Sequence, residues 1–305
     1  MPIGSIPAAR PAADYAEAIA RFDALRALDD ACVLDVGKST LYAQPSSAPL
    51  AIVLLHGFTS CPQQYAVLAA QLQARGHSIV VPRLPGHGDI DRSGPRLVGK
   101  TAEQWLATAG EALDIACGLG QRVATLGISL GGAMGAWFAL QRRDIARAVA
   151  VVPMFGIDHL GPFANTVLRL ALTTLPNLEI RWDPFGDQKQ IPAHAYPRYP
   201  SRGLGQCLRI GAEVAGASRT TAPLAGDVVA VLNTREPAIS NKMALQIVEN
   251  WQRLRANSAS TFIFDNLAGI HDIVEPTNPY QHIDIAYPKF IELLEGAAAV
   301  EQARS

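Results

Sequence analysis

The sequence predicts an α/β fold, in which helices flank a mostly parallel central β-sheet. Short, continuous apolar runs such as residues 50–55 and 228–232 have the length of strands that are buried on both faces. Between most of these runs lie longer segments with apolar residues at helical spacing, as in residues 64–75. This alternation is typical of βαβ units, and sheets built from them bind ligands at the carboxyl ends of their strands.

The composition indicates a folded protein with an ample core. The chain has 305 residues, of which 49% are hydrophobic and 17% are charged. A formal net charge of −1 gives no electrostatic reason to expect nucleic acid or an anionic membrane as a partner. The N-terminus lacks an apolar signal core behind a basic cluster, so no secretion signal is predicted and a cytoplasmic location is expected.

The four cysteines are widely spaced, without a C-x-x-C pair, at positions 32, 61, 117 and 207. This spacing predicts free thiols in a reducing compartment rather than a disulfide framework or a zinc site. We expect no metal and no cofactor.

The individual elements follow from apolar spacing and from capping residues. Predicted strands cover residues 38–43, 50–55, 78–83, 123–128, 146–153, 228–232 and 260–264, and predicted helices cover residues 12–28, 64–75, 101–118, 132–143, 163–175, 240–257 and 287–295. The first helix is amphipathic and is expected to dock on the main body. Thr101 and Gln104 form the sequence pattern of a capping box at the start of their helix.

The pattern G-x-S-x-G occupies residues 127–131, where a predicted strand turns directly into a predicted helix. A serine at such a turn is exposed at the end of the sheet, and the flanking glycines are needed because strand and helix cross closely there. The helix N-terminus beneath Ser129 favours negative charge. A chance match in a chain with 25 glycines is one alternative. A membrane span over the uncharged residues 123–140 is another, but four glycines make that stretch a poor lipid-facing helix.

Two further loops resemble those of the α/β-hydrolase superfamily. Residues 56–60, His-Gly-Phe-Thr-Ser, follow the buried strand 50–55 as the oxyanion loop does in that family. The resemblance implies that the backbone N–H groups of Phe58 and Leu130 bind the oxyanion. His56 is interpreted as a structural residue, and so is His87 in the similar Pro-Gly-His-Gly turn at residues 85–88.

The resemblance also assigns the remaining catalytic residues. In the family the acid follows a strand that corresponds to residues 228–232, and Glu236 is the carboxylate in that loop. The family usually has Asp there, but Glu is an accepted variant, and Asp227 would lie at the wrong end of the sheet. The base follows the last strand, which implies His271, with His282 as the fallback.

The chain order Ser129, Glu236, His271 is that of the family. Two further carboxylates, Asp272 and Glu275, could tune the histidine ring as its neighbours, but a solvated position at the surface is the favoured expectation.

Residues 154–223 interrupt the alternation and are rich in proline and aromatic residues. They resemble the cap that the family inserts after the sixth strand. We therefore predict three segments: core residues 1–153, a cap at 154–223 and core residues 224–305. A cap lined by apolar side chains would cover the serine and favour an apolar acyl group, although a cap that buries only its own face remains an alternative.

The resemblance, closest to bacterial carboxylesterases and monoacylglycerol lipases, implies a serine hydrolase. The expected reaction is hydrolysis of small-molecule carboxylic esters with short to medium acyl chains, or of monoacylglycerols, through a Ser-His-Glu triad. Thioester hydrolysis, acyl transfer, C–C cleavage and perhydrolysis on the same triad remain alternatives, as does a non-catalytic ligand-binding protein. Epoxide or haloalkane hydrolysis would require Asp in place of Ser129. No integral membrane segment is expected, and the oligomeric state is not predicted.

Overall fold

A computed structural model of the chain describes residues 2–182 and 191–299. Within them a seven-stranded sheet has the strand order β1-β3-β2-β4-β5-β8-β9. Its first strand pairs antiparallel with β3, and all other neighbours are parallel. The predicted α/β class with a mostly parallel central sheet is therefore confirmed.

The strands are β1 (Thr40–Tyr42), β2 (Ala51–Leu55), β3 (Ser78–Val81), β4 (Val123–Ile128), β5 (Ile145–Val151), β6 (Glu179–Arg181), β7 (Arg198–Pro200), β8 (Asp227–Asn233) and β9 (Ala259–Phe264). The helices are α1 (Tyr15–Arg26), α2 (Ala66–Ala74), α3 (Ala102–Leu119), α4 (Leu130–Ala139), α5 (Pro162–Thr174), α6 (Ser201–Ala217), α7 (Asn241–Leu254) and α8 (Ile283–Ala299). Most predicted elements are found within a few residues of their predicted bounds.

Helices cover both faces of the sheet and create two apolar cores. Alternate residues of β2 belong to opposite cores: Val53 packs with α3 and α4, whereas Ile52 and Leu54 pack with α2 and α8. All five residues of β2 are buried. Strand β2 therefore needs a continuous run of apolar residues, because a polar side chain on either face would be buried without water to hydrogen-bond it.

Helix α3 begins with the capping box that the sequence predicts. The hydroxyl of Thr101 accepts a hydrogen bond from the Gln104 N–H, and the Gln104 side chain accepts one from the Thr101 N–H. This reciprocal pair confirms the predicted capping box at the start of α3.

Helix α6 is not among the helices that the sequence predicts. The helix contains Gly203, Gly205 and Gly211, which lower helix propensity. Close packing explains two of them. A Cβ on Gly211 would lie 2.2 Å from the Met154 carbonyl oxygen, and one on Gly203 would lie 2.7 Å from the Phe58 ring.

The segment between β5 and β8 (residues 152–226, the β5–β8 segment) holds α5, the β6–β7 hairpin and α6 in its described residues. It follows β5, the fifth strand of this chain, and its match to the family's insertion after the sixth strand stays a prediction. Helix α6 packs against both α5 and α4. The boundaries 154 and 223 of a separate cap stay a prediction.

All four cysteines are free thiols, as their spacing predicts. Among residues 2–182 and 191–299, no helix combines the length and the apolar character that a membrane crossing requires.

The crossing of β4 and α4 leaves no room for side chains. A Cβ on Gly127 would lie 2.3 Å from the carbonyl carbon of Gly131. A Cβ on Gly131 would lie 1.9 Å from the carbonyl oxygen of Leu55 in the neighbouring strand. Both neighbours are backbone atoms inside the sheet or helix, so they cannot move aside without breaking its hydrogen bonds.

We expect Gly131→Ala to lower the free energy of unfolding by about 3 kcal/mol, because the added methyl group overlaps the β2 backbone. Gly216→Ala is the matched control, since Gly216 is exposed on α6 and a Cβ there meets nothing within 4 Å. That control should gain about 0.5–1 kcal/mol from reduced backbone entropy of the unfolded chain. Urea denaturation measures both values. Equal stability of Gly131→Ala and the wild type would contradict the packing argument.

Candidate active site

Ser129 stands at the sharp turn between β4 and α4. Its backbone has φ 55° and ψ −112°, a combination that a residue with a side chain rarely adopts. Hydrogen bonds on both sides hold it there: its N–H donates to Val151 O at 2.9 Å, and its carbonyl accepts from Met154 N and Ala133 N at 3.0 Å. Such over-determined strain is a common feature of functional sites.

The loop after β2 (residues 56–61, the β2–α2 loop) lies beside Ser129 because β2 and β4 are neighbours. Leu55 pairs with Gly127 at the carboxyl ends of these strands. Within the described residues, the N–H groups of Phe58 and Leu130 donate to no protein acceptor. Leu130 is the first residue of α4, so its N–H is one of the free donors at a helix N-terminus.

Two hydrogen bonds of the buried His56 ring brace the β2–α2 loop. Nδ1 lies 2.9 Å from the Gly57 carbonyl oxygen, and Nε2 accepts from the Leu84 N–H at 3.1 Å. Burial lowers the pKa of His56 to about 4. The ring is therefore neutral, with its proton on Nδ1, and the interpretation of His56 as a structural residue is consistent with these contacts.

Aromatic rings hold the Phe58 side chain. Its ring centroid lies 5.9 Å from that of Trp105 and 5.5 Å from that of Tyr199. The ring of Trp182 lies 6.2 Å away and that of His87 5.9 Å away, both near perpendicular. Residues of the core and of the β5–β8 segment thus meet around one side chain of the loop.

The Thr59 backbone, at φ 70°, is in the left-handed region. Two residues of the β5–β8 segment hold it there. Trp182 Nε1 donates to the Thr59 hydroxyl at 2.7 Å, and Tyr196 N–H donates to the Thr59 carbonyl at 3.0 Å. Neither contact is predictable from the sequence, since its partners are more than 120 residues apart.

His271, in the loop after β9, is hydrogen-bonded to Glu236, in the loop after β8. The distance from Nδ1 to Oε1 is 2.9 Å. The same oxygen accepts hydrogen bonds from the N–H groups of Ala238 at 2.9 Å and Ile239 at 3.1 Å. The Glu236 side chain is fully buried, whereas that of His271 is 24% exposed. With its proton on Nδ1, neutral His271 keeps Nε2 as a proton acceptor.

Burial and charge act in opposite directions on this pair. Burial lowers the pKa of His271, but the charge and hydrogen bond of Glu236, with the charge of Asp272, outweigh burial and raise it above the ordinary value. Burial raises the pKa of Glu236, but His271 and the two backbone N–H groups outweigh it and leave the pKa lowered. The carboxylate is therefore ionised and stabilises a protonated His271.

Ser129, His271 and Phe58 line one cavity of about 180 Å³. Glu236 lies behind His271. Among the described residues, the fallback His282 does not line this cavity. Asp227 stands at the first position of β8 and pairs with Arg147 at 2.8 Å, as expected for a carboxylate at the opposite end of the sheet.

The expectation that Asp272 and Glu275 are solvated is wrong. Glu275 is 0% exposed and pairs with His194 at 3.1 Å. Asp272 is half-buried, lines the cavity and accepts a hydrogen bond from Gln64 at 2.6 Å. Polar residues in a loop are usually exposed, and no local signal in the sequence distinguishes these two.

Within residues 2–182 and 191–299, no three His, Cys, Asp or Glu side chains are grouped as metal ligands would be.

Comparison with known proteins agrees with this architecture. Residues 52–276 match the model of the alpha/beta hydrolase family. The chain belongs to this family. A thermostable monoacylglycerol lipase from Bacillus sp. (strain H-257) is 29% identical over 119 residues, which is 38% of this chain but only 44% of the relative's length. That match thus spans less than half of the relative.

Solved structures of the alpha/beta hydrolase fold extend the comparison to most of the chain. A monoacylglycerol lipase of Paleococcus ferrophilus has a TM-score of 0.65 at 15% identity, covering 85% of this chain and 98% of its own. A soluble variant of monoglyceride lipase from Saccharomyces cerevisiae, in complex with a substrate analogue, has a TM-score of 0.66 at 13% identity, covering 85% and 91%. At these identities the likeness shows the fold alone.

We expect Glu236→Gln to lower the pKa of His271 below its ordinary value, because the lost carboxylate leaves burial as the main influence. A titration of the His271 ring protons by NMR measures this shift. Glu249→Gln, on the exposed face of α7, is the control and should leave the pKa unchanged. An unchanged pKa in Glu236→Gln would show that Glu236 does not govern the ring.

Proposed function

We propose that this chain is a serine hydrolase of carboxylic esters, with Ser129 as nucleophile, His271 as base and Glu236 as the acid that orients it. The observation that carries the proposal is the 2.9 Å hydrogen bond between His271 and Glu236, made by a ring that lines the same cavity as Ser129. Membership in the alpha/beta hydrolase family supports it, and so does the monoacylglycerol lipase that resembles part of the chain.

In the proposed acylation, Ser129 Oγ attacks the carbonyl carbon of the ester while His271 Nε2 accepts its proton. The carbonyl oxygen becomes an oxyanion and accepts hydrogen bonds from the N–H groups of Phe58 and Leu130. The tetrahedral intermediate then releases the alcohol, which takes the proton from His271. An acyl group remains bound to Ser129.

Deacylation repeats these steps with water as the nucleophile. His271 accepts a proton from the water as its oxygen attacks the acyl carbon, and it returns the proton to Ser129 Oγ when the carboxylic acid leaves. Glu236 stabilises the imidazolium in both halves of the cycle. Each oxyanion donor typically contributes about 3 kcal/mol to the transition state.

The size and the lining of the cavity support the proposal that the substrates are esters with short to medium acyl chains or monoacylglycerols. Its volume of about 180 Å³ is below the roughly 300–1,000 Å³ of typical ligand pockets. Apolar and aromatic residues of the β5–β8 segment cover it, among them Trp182, Ile191 and Tyr196. They would exclude water from the reacting ester and favour an apolar acyl group. The free thiols support a cytoplasmic location.

We expect Ser129→Ala to abolish covalent labelling by a fluorophosphonate probe and to lower kcat by at least about 10³-fold, because the nucleophile is lost. Ser60→Ala is the matched control, since Ser60 lines the same cavity and should leave labelling intact. Labelling of Ser129→Ala at the wild-type rate would contradict the assigned nucleophile. Absence of labelling and turnover in the wild type would favour a non-catalytic binding protein.

A panel of p-nitrophenyl esters tests the proposed substrate range. We expect kcat/KM to be highest between acetate and octanoate and at least about tenfold lower for palmitate, because a long chain exceeds the cavity. Monoacylglycerols and matched thioesters complete the panel. A maximum at palmitate would contradict the cavity argument, and a clear preference for thioesters would replace the ester assignment.

A further inference from the structure

Gln64 is a buried polar residue that the proposed chemistry does not use. It lies in the short 3₁₀ turn Pro62–Tyr65 that follows the β2–α2 loop. Its relative exposure is 2%, although glutamine is mostly found on protein surfaces. A buried amide persists only when its polar atoms are hydrogen-bonded.

Both ends of the Gln64 amide are hydrogen-bonded, each to a different loop. Oε1 accepts the Gly57 N–H at 2.9 Å, and Nε2 donates to Asp272 Oδ2 at 2.6 Å. A backbone N–H is only a donor and an ionised carboxylate is only an acceptor, so the orientation of the amide is determined. One side chain therefore links the β2–α2 loop to the residue beside His271.

The bond to Gly57 restrains the peptide that carries the Phe58 N–H. The carbonyl of that peptide, from Gly57, lies 2.9 Å from His56 Nδ1 and accepts the Ser60 N–H at 3.2 Å. On the other side of this residue, the Gly57 N–H is held by its hydrogen bond to Gln64 Oε1. Glycine is conformationally permissive, so hydrogen bonds at both its N–H and its C=O are needed to fix the direction of the next N–H.

The bond to Asp272 affects the charge beside His271. Burial and the charge of Glu275 raise the pKa of Asp272, whereas the Gln64 hydrogen bond lowers it. An ionised Asp272 in turn raises the pKa of His271. The other titratable groups facing these two residues are Glu236 across the ring, Tyr65 and Tyr287 near Asp272, and His194 against Glu275.

We propose that Gln64 is a positioning residue: it holds the Phe58 N–H donor and the His271 loop in one geometry and keeps a negative charge beside His271. This inference rests on the proposed function, because it assigns Gln64 a role in the same reaction. Gln64 lines the cavity that holds Ser129 and His271, but its amide is hydrogen-bonded to Gly57 and Asp272 rather than to either of them.

Gln64→Met tests the proposal by replacing the amide with an apolar side chain of similar length. We expect kcat to fall by about ten- to 100-fold while KM changes less than about threefold, since donor alignment matters most in the transition state. The acid limb of kcat/KM should move to lower pH, because Asp272 is then protonated more readily and raises the pKa of His271 less. Gln63→Met, in the same turn, is the control and should leave both parameters unchanged.

Gln64→Glu separates the two hydrogen bonds. The introduced carboxyl can still accept the Gly57 N–H, and it can share one proton with Asp272 at low pH. We expect near wild-type kcat where that proton is bound and a decline as pH rises and both carboxyls ionise, in a range where the wild type does not decline. A pH-independent loss equal to that of Gln64→Met would indicate a space-filling role and overturn the proposal, as would an unchanged kcat in Gln64→Met.

NMR titration of His271 keeps the inference separate from the proposed function. If the wild type neither turns over esters nor reacts with the fluorophosphonate, the proposed function fails. The pKa of His271 should still be lower in folded Gln64→Met than in the wild type. An equal pKa in the two folded proteins would remove the assigned effect of Gln64 on the charge of Asp272.

Discussion

The close packing of the β4–α4 turn against strand β2 is the constraint on which the site depends. Gly131 lies against the Leu55 carbonyl, where even a methyl group would overlap the backbone. This contact brings the start of α4 beside the end of β2. The N–H of Leu130 and the β2–α2 loop consequently lie at the same edge of the sheet as Ser129. The sheet register thus determines the distances on which the proposed chemistry depends.

The sequence predicted that four residues of the candidate site lie at strand ends, whereas their roles came from the family resemblance and stay predictions. Ser129, Phe58, Glu236 and His271 all stand just beyond the carboxyl end of a strand, and a strand-then-loop pattern is readable locally. Helix α6 was largely missed because its glycines lower helix propensity, and the close contacts that require two of them involve residues far away in sequence. The link from Gln64 to Asp272 spans 208 positions, and a lone glutamine in a helical segment carries no signal of such a partner.

Two histidines near the cavity show how environment separates residues of one type. His56 is buried with two backbone partners, so burial dominates and lowers its pKa to about 4. For His271, burial is outweighed by the charge of Glu236 and, to a smaller degree, by that of Asp272. The first ring stays neutral and braces a loop. The second has a raised pKa beside an ionised carboxylate, which is the setting that the proposed general base requires.

The β5–β8 segment is more than a cover over the cavity. It supplies Trp182 and Tyr196, whose hydrogen bonds hold Thr59 in a left-handed backbone conformation that threonine disfavours. Thr59 follows Phe58 directly, and the Phe58 ring packs on Trp182 as well. Because the β5–β8 segment helps to fix this loop, a change in the position of the segment would also change the direction of the Phe58 N–H. The cavity lining and the loop geometry therefore depend on the same aromatic residues, and we expect a substitution that enlarges the cavity at Trp182 to release the loop as well.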